Sequence, residues 1–140
     1  MSGPVIAVVT EALLDAAAHE AAVGHVRAGA TVVFRGVVRN VDHGREVVSL
    51  EYHAHPSAAA VLTAIATKFA AEPDALAVAV SHRIGTLQVG DVALVAAVAC
   101  EHRAEAFELC ARLVDEVKHQ LPIWKRQVFT DGSDEWVNCP

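Results

Sequence analysis

Residues 91–121 read DVALVAAVACEHRAEAFELCARLVDEVKHQL, an apolar run followed by an amphipathic one. The apolar run ends at Cys100, and its β-branched residues predict a buried strand. It is far short of the roughly 20 apolar residues that span a bilayer. From Arg103 to Gln120 the apolar residues recur every three or four positions, which predicts a helix with one apolar face. Pro122 ends that helix, because proline cannot continue it.

The remaining patterns predict a mixed α+β domain. Gly29 is expected to end the first helix and Ser57 to cap the second, and Asp131-Gly132 is a hairpin turn. Residues 85–90 are expected to connect two strands. No repeat or linker divides the chain, so residues 1–140 are expected to form a single domain. Strands are predicted at residues 4–10, 31–38, 46–54, 75–84, 91–100, 124–129 and 135–138, and helices at residues 11–27, from 57 to about 71, and 103–120.

Composition and charge limit the classes of function. The 140 residues are 54% apolar, which suits a packed core, and the formal net charge is −6. An acidic chain is not expected to bind nucleic acid or anionic membranes through its overall charge, so any anionic ligand needs a local cluster of cations. Three cysteines without a CxxC pair (Cys100, Cys110 and Cys139) indicate core residues and a free thiol in a reducing cytoplasm. No signal peptide is expected.

Several cations lie beside landmarks where they could bind an anion. Lys118 is near the C-terminal end of the predicted helix, where it either complements the helix dipole or serves a site. Lys125 and Arg126 should point to opposite faces of a strand, so at most one of them shares a pocket with Lys118. Arg39 follows a strand, and its guanidinium could bind an anionic group or pair with a carboxylate.

Two His-Arg pairs stand at the ends of strands. His102-Arg103 precedes the long helix and is either a phosphate site at a helix start or a charged junction. His82-Arg83 is interpreted as structural, with Arg83 paired to an acid.

Motifs of other chemistries are weak or absent. His53 and His55 share one strand face and could hold a metal, but no third ligand is evident, so no metal site is predicted. Ser57, Ser81 and Ser133 have no convincing His/Asp partners in the sequence. There is no dinucleotide or phosphate-loop motif.

The order of the motifs is more specific than any one of them, and the series resembles the large subunit of molybdopterin synthase over roughly residues 30–138. The motifs are Phe34-x-Gly36-x-Val38-Arg39, Leu50-Glu51-Tyr52, His82-Arg83-x-Gly85-x-Leu87-x-x-Gly90, His102-Arg103-x-x-Ala106-Phe107, Lys118-x-x-x-Pro122-Ile123-Trp124-Lys125 and Phe129-x-Asp131-Gly132.

The resemblance implies a fold, a reaction and partners. The fold would be an α/β-hammerhead with a mixed sheet and a small additional β subdomain. The reaction would move sulfur from the thiocarboxylated Gly-Gly C-terminus of a small ubiquitin-like carrier subunit to cyclic pyranopterin monophosphate, forming the dithiolene of molybdopterin. A homodimer of the large subunit with two carriers would make a heterotetramer. No cofactor is implied.

The resemblance also implies roles for individual residues. The catalytic lysines would be Lys118 and Lys125. Arg39 with His102 and Arg103 would bind anions, the His-Arg pair reaching the site from the opposite subunit. The further substrate-binding candidates are Phe34, Val37, Val38, Arg126 and Gln127.

Three positions depart from the family pattern. Gln127 stands where an acid is usual, His53-Ala54-His55 replaces a common Glu-Ala-Tyr, and Val114 replaces a methionine.

Two other classes of function compete with the transferase. One is a non-catalytic module that binds a protein tail by strand addition. The other is a metal-dependent hydrolase that uses His53 and His55.

Overall fold

The computed structural model describes residues 3–139, and side chains as far as residue 137. The thiol of Cys139 therefore lies outside the described side chains. The elements in chain order are β1 (Ile6–Thr10), α1 (Ala16–Ala22), β2 (Ala30–Val37), β3 (Val41–Asp42), β4 (Arg45–Ala54), α2 (Ala58–Ala70), β5 (Ala77–Arg83), β6 (Gly85–Gln88), β7 (Val92–Cys100), α3 (Arg103–Gln120), β8 (Ile123–Phe129) and β9 (Asp134–Cys139).

The strands form two sheets, which confirms the predicted mixed α+β class. The first sheet has four strands in the order β1-β5-β7-β2. Its β1–β5 pair is parallel and its other two pairs are antiparallel. The second sheet has the order β3-β4-β8-β9, and β6 joins it beside β4. In the part of the chain that the structure describes, no helix is long and apolar enough to cross a membrane.

Helices cover both faces of the first sheet. α2 and α3 pack on one face, where Leu109 and Leu113 meet Val80 and Val98 in the main core. α1 packs on the other face, where Val23 lies against small residues such as Ala97. β7 is buried on both sides, which explains why its sequence is continuously apolar rather than alternating.

The first helix is much shorter than the prediction of residues 11–27. It begins at Ala16, because the Asp15 carboxylate caps it by accepting from the Ala18 N–H at 3.0 Å. It ends at Ala22, and Gly24 follows the last cap, so the predicted stop at Gly29 was wrong. The alanine-rich composition favoured a longer helix than the caps allow.

Two other local predictions were also wrong. Ser57 is the N-cap residue of α2, as predicted, but the expected side-chain cap is absent, since its hydroxyl lies 2.8 Å from His55 Nδ1. The predicted connection at residues 85–90 contains β6, which pairs with β4 of the second sheet. By contrast, α3 has the predicted bounds, and the hairpin turn at Asp131-Gly132 joins β8 to β9 as predicted.

Candidate functional site

Lys118 lines a narrow cleft where the two sheets meet. The cleft has about 10 Å³ of free space, which is room for about one water molecule. Its walls come from β5, β7, the end of α3 and the start of β8. The lining residues are His82, Leu94, Val117, Lys118, Leu121 and Ile123. Lys118 as a whole is exposed. It therefore lines the cleft with the methylene stem of its side chain.

His82 is the polar residue opposite Lys118 in this cleft. It is only 4% exposed, and its ring meets the Tyr52 ring edge-on at 4.9 Å. Burial lowers the pKa of His82 to about 4, and the positive charge of Lys118 acts in the same direction. The imidazole is therefore neutral near pH 7. The neighbouring Arg83 lies 3.4 Å from Asp91, which confirms the prediction that it pairs with an acid.

Lys125 and Arg126 face opposite sides of β8, as predicted. Lys125 stands opposite Tyr52 on β4, so both residues share the face that also bears Leu50. The Arg126 guanidinium bonds Glu51 and Asp134 on the other face, both at 2.7 Å. Lys125, and not Arg126, therefore lies on the face of the sheet that carries Tyr52, whose ring contacts His82.

Gln127 is buried at 3% exposure, on the same face as Lys125. Its amide donates to Asp42 at 2.8 Å, and this bond is the main cause that lowers the pKa of the Asp42 carboxyl. Lys125 also contributes to that lowering. Arg39 lies 3.6 Å from the same carboxylate, with a side chain that is 79% exposed. Asp42 therefore links Arg39, Lys125 and Gln127.

An apolar groove of about 350 Å³ runs between β2 and α3. The residues that line it are Val32, Val33, Phe34, Phe107, Cys110, Ala111, Val114 and Asp115. Lys118 follows Val114 by four residues, one helical turn further along α3.

Burial raises the pKa of Cys110 to about 11, so its thiol stays protonated and is no nucleophile. Cys100 and Cys110 are both buried free cysteines, as predicted.

Val37 and Val38 are two further substrate-binding candidates at the end of β2, and they have different environments. Val37 is exposed at the end of β2, whereas Val38 is buried in the main core. Gly36 stands opposite Leu94, so the end of β2 lies next to a wall of the Lys118 cleft.

His102 and Arg103 stand at the opposite end of α3 from Lys118. His102 is the N-cap of α3, and both side chains are exposed. Arg103 and Lys118 are fifteen residues apart in a continuous helix, which separates them by about 22 Å along its axis. A single chain therefore does not bring this His-Arg pair to the cleft. The preceding Glu101 accepts from Arg27 Nε at 3.0 Å.

Ser81 does have a histidine partner, which the sequence did not reveal. Its hydroxyl lies 2.8 Å from His19 Nε2, and both side chains are buried between α1 and β5. His19 Nδ1 must be the donor to the Asp15 carbonyl at 2.7 Å, so in the neutral imidazole Nε2 accepts from the hydroxyl. None of the clefts described above reaches this pair, which ties α1 to β5.

His53 and His55 have separate partners. His53 lies 3.1 Å from Glu51 and stacks obliquely on Trp136 at 5.2 Å, whereas His55 contacts Ser57. Within residues 3–137, where side chains are described, no three or more histidine, cysteine or acidic residues are grouped so that they could hold a metal ion.

Comparison with known proteins assigns the chain to a family. A family model described as the MoaE protein matches residues 9–120, most of the chain. The chain belongs to this MoaE family. The matched residues include Lys118 and stop before Lys125.

Individual relatives agree with this family. The chain is 46% identical, over 79% of its length and 68% of the relative's, to a molybdopterin synthase catalytic subunit from Nostoc sp.. Plant relatives of the same name are longer, and the chain spans between 54% and 59% of their length. A molybdopterin synthase structure from Staphylococcus aureus matches with a TM-score of 0.85 and 29% identity, covering 96% of this chain and 97% of that one.

A more distant structure has the same fold. It is a complex of subunits 1 and 2 of the molybdopterin-converting factor from Helicobacter pylori, with a TM-score of 0.71 and 19% identity over 96% of this chain and 89% of the other.

Proposed function

We propose that the chain transfers sulfur from the thiocarboxylated C-terminus of a small ubiquitin-like carrier subunit to cyclic pyranopterin monophosphate, which makes the dithiolene of molybdopterin. The observation that carries this proposal is the apolar groove along α3, which stops one helical turn before Lys118. Membership of the MoaE family supports it. A cytoplasmic location suits the two buried free thiols of Cys100 and Cys110.

The groove suits the extended tail of the carrier. β2 is an end strand of its sheet, so along the described chain its outer edge has no partner strand. A tail could add there as a further strand, with Phe34 and Phe107 forming apolar walls. The Helicobacter pylori neighbour is itself a complex of two subunits, which is in keeping with such a partner.

Lys118 is the residue that we assign to the reacting centre. Sulfur transfer needs two events: the thiocarboxylate sulfur bonds to a carbon of the pterin as an oxygen substituent leaves it, and water then hydrolyses the resulting thioester, which leaves the sulfur on the pterin and a carboxylate on the carrier. Negative charge develops on the acyl oxygen during cleavage, and a fixed ammonium beside it stabilises that charge or donates a proton. A site partly closed to water strengthens the interaction.

The other cations would hold the anionic parts of the substrates. Lys125 would orient the thiocarboxylate from β8. Arg39 would bind the cyclic phosphate, and it is well suited to do so because its side chain is exposed and its distance of 3.6 Å to Asp42 is long for an ion pair. Roles in substrate binding for Val37, Val38, Arg126 and Gln127 stay predictions, since Val38 and Gln127 are buried and Arg126 is paired on the other face.

His102 and Arg103 would act from a second copy of the chain. They lie about 22 Å along α3 from Lys118 of their own chain, at 1.5 Å per residue. In a homodimer, the N-terminal end of α3 of one subunit would lie at the Lys118 cleft of the other subunit and complete the anion site.

Replacement of Lys118 tests the proposed function. With purified thiocarboxylated carrier and precursor pterin, Lys118→Ala should lower the rate of dithiolene formation by at least about 100-fold, the usual cost of losing one oxyanion-stabilising group. Fluorescence of the oxidised product measures the rate. Lys68→Ala is the matched control, because Lys68 is paired with Glu116 on the surface. Tail binding by the wild-type chain without turnover would instead favour a binding module.

A further inference from the structure

His82 is a buried polar residue to which the proposed mechanism gives no role. Its side chain projects from β5 on the face of the first sheet that carries Val78 and Val80, towards the end of α3. Leu94 on β7 stands beside it, and the Tyr52 ring meets it edge-on from β4. A phenylalanine would fill such a place without the cost of burying two ring nitrogens.

The hydrogen bonds of the ring determine which nitrogen carries its proton. Nδ1 lies 2.7 Å from the Arg83 carbonyl oxygen, and a carbonyl can only accept, so Nδ1 is the donor. Because the buried ring is neutral, Nε2 has no proton and presents a lone pair. His82 is therefore held as a hydrogen-bond acceptor in one fixed tautomer.

His82 lines the same cleft as Lys118. The cleft has about 10 Å³ of free space, so one water molecule is the most that can stand between them. The remaining walls are the apolar side chains of Leu94, Val117, Leu121 and Ile123. Among the lining residues, Nε2 is thus the only side-chain acceptor for an ammonium that turns inward.

We propose that His82 is a positioning residue for Lys118: its Nε2 accepts a hydrogen bond from the Lys118 ammonium, directly or through one water, and holds that ammonium in place for sulfur transfer. This inference rests on the proposed function. A neutral acceptor suits the task better than a carboxylate, since it orients the ammonium without cancelling the positive charge that the reaction uses.

Two amide substitutions separate this role from simple packing. Gln has its amide where the imidazole has Nε2, and Asn has its amide where the imidazole has Nδ1. Both remove the ring that contacts Tyr52, so both lose comparable packing. His82→Gln should keep the single-turnover rate of sulfur transfer within about threefold of wild type, and His82→Asn should lower it by about tenfold or more, with pterin affinity unchanged in both. Equal rates in the two variants, per folded protein, would overturn the proposal.

A spectroscopic measurement tests the contact without any turnover. Lys118→Met removes the ammonium and keeps an unbranched stem. In the folded protein, the ¹⁵N resonance of His82 Nε2 should shift in Lys118→Met, and that of Nδ1, bonded to Arg83, should not. An unchanged Nε2 resonance would contradict the contact.

The failure of this inference is distinguishable from failure of the proposed function. If Lys118→Ala is inactive while His82→Asn is normal, His82 has no positioning role and the transferase assignment stands. If wild-type protein shows no turnover with the pterin, the transferase assignment fails, and the Nε2 resonance still reports whether the contact exists.

Discussion

The buried imidazole of His82 makes the stability of the folded chain depend on pH. Its pKa is about 4 in the fold and about 6.5 when unfolded, so between these values the unfolded chain binds a proton that the folded chain does not. The stability that the fold gains by keeping His82 neutral is fully present above pH 6.5 and is lost as the pH falls towards 4. From pH 7 to pH 5 it should amount to about 2 kcal/mol.

Denaturant unfolding at the two pH values measures this loss. His82→Gln has no group that titrates there, so its free energy of unfolding should fall by about 2 kcal/mol less than that of wild type over the same interval. The same pH dependence in both proteins would show that His82 is not the residue responsible.

Gln127 and Asp42 give a second test at the level of single residues. Gln127→Glu installs the acid that is usual in the family, but here it would bury a carboxylate 2.8 Å from the Asp42 carboxylate. We expect a loss of about 2 kcal/mol in the free energy of unfolding at pH 7, from the broken bond and the repulsion. Asp42→Asn in the same chain should restore most of it, because the amide then donates in the reverse direction. A double variant no more stable than Gln127→Glu would contradict this account.

At the level of secondary structure, one buried hydrogen bond ties α1 to β5. Ser81→Ala should leave His19 Nε2 without its donor and lower the free energy of unfolding by about 1–3 kcal/mol. Sulfur transfer should be unchanged, because the pair lies on the face of the first sheet opposite the Lys118 cleft. Unfolding and turnover measurements on the same preparation check both statements, and a loss of turnover at full stability would point to a chemical role for Ser81.

Elements were predictable where the pattern was long or had clear boundaries. α3 has an amphipathic repeat that ends before Pro122, and its bounds were confirmed. α1 was predicted too long, since alanines favour a helix everywhere between Glu11 and Arg27 and the cap at Asp15 decides where it begins. β6 was missed because only Leu87 of its four residues is buried, which is too little for an alternating pattern.

At the scale of the whole molecule, the separation of Arg103 from Lys118 predicts sharing of the site between subunits. Lys118→Ala and Arg103→Ala homodimers should each be inactive. After equal mixing and subunit exchange, half of the dimers contain one subunit of each kind, and one of the two sites in such a dimer is intact. Activity should therefore recover to about a quarter of wild type. No recovery, with exchange proven by mass spectrometry, would mean that the two residues do not act across subunits.

The candidate site could be predicted only in part, for reasons of distance along the chain. The opposite facing of Lys125 and Arg126 follows from strand geometry and was predictable. Asp42 could not be found, because 85 residues separate it from Gln127 and only the pairing of β4 with β8 brings the two strands together. His82 was interpreted as structural, since no local pattern indicates that β5 ends beside Lys118.

The position of β6 has a consequence for how the chain folds. β5 and β7 are neighbours in the first sheet, yet between them the chain crosses to the second sheet and returns. The strands of the two sheets are interleaved along the chain, so no single cut yields two fragments that each hold a complete sheet. Neither sheet can close until residues far apart in sequence have met, which makes the contact order high and folding slow for a chain of this size. The two sheets should therefore assemble and melt together, as one cooperative unit.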